Sequence, residues 1–168
     1  LVNNARDIQI NIEFEGNQLP YYALGWEKQF TNSNSMEKAI YCIESTTHNS
    51  NLKRQEWENN KKLSILTIPF EKFVIEPLPY MKEIEKHLGT AFGKKTNKVM
   101  RKNNVPRLII SDGPALDIYK RCGMELPSED SEENELIKRR NIVKENVSNN
   151  ALKVMDKLSK EYFEEHLS

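Results

Sequence analysis

The chain predicts an α/β domain in which strand and helices pack together, followed by a helical C-terminus. Three observations predict it. Leu63, Ile65, Leu66 and Ile68 form an apolar run of strand length between the polar residues 59–62 and Pro69. A helical pattern led by Pro77 follows and stops at Gly89. Stretches 35–54 and 151–167 repeat apolar residues near the helical period. The expected organisation is one α/β domain over 1–127, with an acidic linker and C-terminal helices over 128–168.

In chain order, residues 8–14 read as a short helix and 16–20 as a turn. Tyr21, Tyr22 and Trp26 make the next segment aromatic, and the plainest use of Tyr22 and Trp26 is core packing. The 35–54 helix is expected to start at a Ser35 cap and to pack through Met36, Ile40, Ile43 and Thr47. His48, near its end, reads as a surface or capping residue, and Trp57 as cover for the edge of the 63–68 strand.

Phe70, Glu71, Lys72 and Phe73 follow at the C-terminal end of that strand. There Glu71 can accept backbone hydrogen bonds and fix the turn into the next helix. Pro77 and Pro79 set the chain for that helix, whose apolar residues fall at Tyr80, Ile84, His87 and Leu88. Lys94, Lys95, Lys98, Arg101 and Lys102 then form a basic run, read either as a phosphate-binding patch or as a solvated helix face. A loop over 107–114 leads to a helix over 115–122, and Gly123 and Pro127 end this part. Helices follow over 136–147 and 151–167. Ala151, Met155, Leu158 and Tyr162 give the second an apolar stripe expected to dock on the domain.

With 38% hydrophobic and 30% charged residues, the core should be modest for 168 residues. Lys plus Arg equals Asp plus Glu at 25 each, so no global field favours a polyanion and nucleic acid is not an expected partner. Cys42 and Cys122 lack CxxC or His partner spacing, which argues against a zinc site and for a reducing, cytoplasmic compartment. No apolar run approaches the roughly 20 residues of a membrane span.

Phe70, Glu71, Phe73, Pro77, Leu88 and Gly89 together resemble the late strand-helix unit of the sulfotransferase family, with Glu76 where an Asp or Asn is usual. The N-terminus is similar to a second signature of that family, in which a strand runs into an Arg-Asp-Pro-Arg-Asp-like turn and a helix. Arg6 and Asp7 match its last two positions. Three positions depart: Asn3 replaces a phosphate-binding Arg, Ala5 a Pro, and Asn11 a phosphate-binding Ser. An Asn supplies no bidentate cation at such a place.

The resemblance covers residues 1–123 and implies part of a P-loop-like sulfotransferase domain, a few parallel strands flanked by helices, with one strand ending at Leu1 and Val2. The implied reaction transfers a sulfuryl group from 3′-phosphoadenosine 5′-phosphosulfate to a hydroxyl or amine of a small-molecule or glycan acceptor. It assigns donor binding to Arg6, Arg107, Ser111 and Gly113, with the last three carried over by position in the chain. The aromatics of 21–26 would line the acceptor. No catalytic residue and no metal ligand is expected here. The family's phosphosulfate loop and catalytic base lie upstream of these signatures, so the chain is expected to be a C-terminal piece, inactive by itself. Three alternatives share the strand-helix pattern: another P-loop nucleotide-binding or kinase-like domain, a noncatalytic α/β interaction domain, and a glycosyltransferase. The last lacks an Asp-x-Asp signature in this sequence.

Overall fold

The computed structural model describes residues 10–60, 63–110 and 132–167. These residues are mostly helical, and their one sheet is a two-stranded antiparallel hairpin. The expected α/β arrangement, with its P-loop-like parallel strands, is therefore corrected. Contacts divide the chain into two compact units, Leu1–Lys61 with Arg139–Phe163, and Lys62–Lys138 with Glu164–Ser168.

The first unit opens with strands β1 (Asn11–Phe14) and β2 (Asn17–Pro20), paired Asn11 to Pro20 and Phe14 to Asn17. This replaces the helix expected over 8–14. Along β1, exposure alternates residue by residue, the period of a strand with one covered face. Glu15 and Gly16 close the hairpin at φ 50° and 75°, the two left-handed positions that a type I′ turn requires. A short 3₁₀ turn, Tyr21–Ala23, leads to helix α1 (Glu27–Asn32).

Helix α2 runs Ser35–Glu58, and its cap is Asn34 rather than Ser35. Asn34 Oδ1 accepts the N–H groups of Met36 and Glu37, while the Asn34 N–H donates to the Glu37 carboxylate at 3.1 Å. This reciprocal box satisfies donors that the first turn leaves open. The same two side chains hold the turn between helices α6 (Glu132–Asn146) and α7 (Asn149–Tyr162). Asn34 Nδ2 donates to the Asn146 carbonyl at 2.9 Å, and the Ser148 N–H donates to Glu37 at 2.8 Å. The unit's core forms where α2 meets α7: Ile40, Tyr41 and Ala151 are buried, with Trp26, Val143, Val147, Val154 and Met155 packed around them. Ala151 and Met155 of the expected stripe thus dock within the chain. A five-residue π turn, Phe163–Leu167, follows α7.

The second unit contains helices α3 (Phe70–Ile75), α4 (Pro77–Leu88) and α5 (Lys94–Lys102). Residues 63–68, expected as a buried strand, form neither strand nor helix, and Leu63 is 49% exposed. A strand needs a neighbouring ladder for its N–H and C=O groups. No such ladder forms for 63–69 among the described residues. Glu71 consequently lies in the first turn of α3, where the helix dipole favours a carboxylate, rather than at a strand end. Pro77 and Pro79 do open α4, and Gly89 ends it in the left-handed region at φ 64°. Past that cap, the Phe92 N–H donates to the Glu85 carboxylate at 2.7 Å and turns the chain toward α5. Val74, Pro77, Met81 and Val105 are buried, and Phe73 meets Tyr80 edge-on at 6.4 Å.

Candidate functional site

Of the four residues expected to bind a nucleotide donor, the structure describes Arg107; Arg6, Ser111 and Gly113 lie outside the described residues, as does the helix expected over 115–122. Arg107 is held by local and non-local contacts. After α5, Asn104 takes φ 51°, and the Val105 N–H returns to the Met100 carbonyl at 3.0 Å, which brings Val105 inward. Two residues on, the Arg107 N–H donates to the Val74 carbonyl at 2.7 Å, tying its backbone to α3.

The Arg107 side chain is then fixed in turn. Nη1 donates to the Ile110 carbonyl at 2.8 Å, and the guanidinium carbon stands 5.3 Å from the centre of the Phe70 ring. Stacking on an aromatic face suits the flat, weakly hydrated guanidinium. Nε is buried and has no hydrogen-bond partner among the described residues. A buried donor left unmade costs about 1–3 kcal/mol. Nε and Nη2 share one edge of the guanidinium, the edge that grips carboxylate or phosphate with two parallel hydrogen bonds.

Asn11 stands in the first position of β1, exposed, and not on a helix that could point a side chain at a phosphate. The second signature therefore gains nothing from the fold at that position.

The first unit contains a separate open cleft of about 430 Å³. Leu24, Trp26, Tyr41 and Leu158 give it an apolar and aromatic lining, and Glu44, His48, Lys157 and Glu161 add charged or titratable groups. Trp26 belongs both to this lining and to the core: its ring meets Tyr41 edge-on at 6.3 Å, and its indole N–H donates to the Tyr22 carbonyl at 2.7 Å. The core expectation for Trp26 holds, and the same residue lines the cleft. Burial pushes the neighbouring Tyr22 phenol above its usual range, with the Cys42 thiol adding to the shift. Sequence reasoning missed Lys157 and Glu161, which lie 3.8 Å apart as an i, i+4 pair on α7. Their spacing was visible, but their position at the cleft depends on how α7 docks on α2. Among the described residues no group of three or more His, Cys, Asp or Glu could hold a metal ion, and no helix is long and apolar enough to cross a membrane.

The chain matches no family model, no curated protein and no solved structure.

Proposed function

We propose that this chain supplies donor-anchoring residues to a sulfotransferase-like protein that moves a sulfuryl group from 3′-phosphoadenosine 5′-phosphosulfate to a hydroxyl or amine. In that reaction the acceptor oxygen or nitrogen bonds to sulfur while the bond from sulfur to the bridging 5′-phosphate oxygen breaks. The electron pair leaves with the nucleotide, and the acceptor proton passes to a base. The role given to Arg107 is binding: it grips the donor's 3′-phosphate.

The observation that carries this reading is the state of the Arg107 guanidinium. Its backbone is tied to Val74, one nitrogen to Ile110 and its face to Phe70, while buried Nε has no partner among the described residues. A pre-positioned cation with an unsatisfied Nε suits a phosphate, whose oxygens would complete a fork with Nη2. Phe70 also begins the motif on which the family resemblance rests, so the motif and the cation meet in one compact unit. The proposal requires neither a parallel sheet nor a helix at Asn11.

Calorimetric titration with adenosine 3′,5′-bisphosphate and with adenosine 5′-monophosphate tests the reading. A charge-assisted contact is worth about 1.5–3 kcal/mol, so the bisphosphate should bind at least about tenfold more tightly. Equal affinities would remove the 3′-phosphate from the site.

A further inference from the structure

Helix α5 places all five of its cations on one side. At about 100° per residue, Lys94, Lys95, Lys98, Arg101 and Lys102 fall within an arc of about 120°. All five are exposed, none forms an ion pair among the described residues, and the helix contains no acidic residue.

Arg101 and Lys102 suit the last turn, but the rest of the arrangement works against the helix. Lys98 has like-charged neighbours at i−4, i−3, i+3 and i+4, which repel it on the same face. Lys94 and Lys95 occupy the first turn, the positive end of the helix dipole, where carboxylates are favoured. An external anion would relieve both conflicts.

We infer that the α5 stripe is a docking surface for an anionic lipid bilayer. A plane of headgroups can meet all five cations of a narrow arc at once, and clusters of four to eight Lys or Arg on an amphipathic helix suit such a surface. Val99, 59% exposed, adjoins the stripe on the side of Lys95 and supplies an apolar contact at its margin. A nucleic acid is the weaker fit. The helix has no aromatic residue to stack on bases, and the balanced charge of the chain provides no long-range field to draw a dissolved polyanion. A bilayer concentrates its charge within a Debye length of the surface, where a local stripe suffices.

Sedimentation of the chain with vesicles of phosphatidylserine and phosphatidylcholine, against vesicles of phosphatidylcholine alone, tests the inference. The anionic vesicles should bind the chain and release it as salt rises. The double variant Lys98→Gln, Lys102→Gln should bind about 25-fold more weakly, from about fivefold per cation. It should keep its helical circular dichroism, since it removes repulsion rather than packing. Equal binding to both vesicle types, unchanged binding of the double variant, or tighter capture by duplex DNA than by the anionic vesicles would each overturn the inference.

Discussion

Glu37 joins two parts of the first unit through one carboxylate: one oxygen closes the cap of α2 and the other accepts the Ser148 N–H at the start of α7. Hydrogen bonds from the Ser148 side chain and backbone, and from the Asn34 N–H, hold its carboxyl below the usual glutamate range. The folded state therefore favours the ionised form. Its contribution is fully present above the ordinary carboxylate pKa and is lost as pH falls through the lowered value. Glu37→Gln should accordingly flatten the fall in stability between about pH 6 and about pH 3 relative to wild type, a range that brackets the glutamate pKa. Urea midpoints measured across that range check this, and parallel curves would remove Glu37 from the linkage. Asn34→Ala deletes the cap and the bond to Asn146, and should cost about 1 kcal/mol or somewhat more. An unchanged urea midpoint would show that these bonds contribute nothing.

Among the elements, α4 was the most legible in the sequence, and the reason is local. Proline restricts φ and glycine admits the left-handed region, so a Pro-led start and a Gly stop act whatever the rest of the chain does. A Cβ at Gly89 would meet no atom within 4 Å, so Gly89→Ala tests backbone conformation alone. It should destabilise the second unit by about 1–2 kcal/mol, with Asn costing less; thermal melts that rank Ala as harmless would contradict the assigned cap. The strand at 63–68 failed for the opposite reason. Its apolar run was real, but strand formation depends on a partner ladder that composition does not reveal. The hairpin was missed because Glu15 occupies a left-handed position that Asn or Asp usually fills. In α2, neighbouring Asn34 and Ser35 can both cap, and the reciprocal contact with Glu37 decided between them.

For the whole molecule, the sequence indicated Arg107 by its position in the chain but not what fixes it. The bond to the Val74 carbonyl and the stack on Phe70 join segments distant in sequence, and neither follows from residue pattern. The cleft of the first unit has the same origin, since its α2 and α7 residues meet only through packing around Ala151. Helical content was partly legible, whereas the class of fold was not: the strand-like run at 63–68 implied a sheet around it that the described residues do not build. The central claim is that Arg107 holds a 3′-phosphate, and titration of Arg107→Ala and Arg107→Lys with adenosine 3′,5′-bisphosphate tests it most directly. The Ala variant should lose about tenfold or more in affinity, and Lys should recover only part because it lacks the bidentate edge. Wild-type affinity in both variants, with the fold intact by circular dichroism, would contradict the claim.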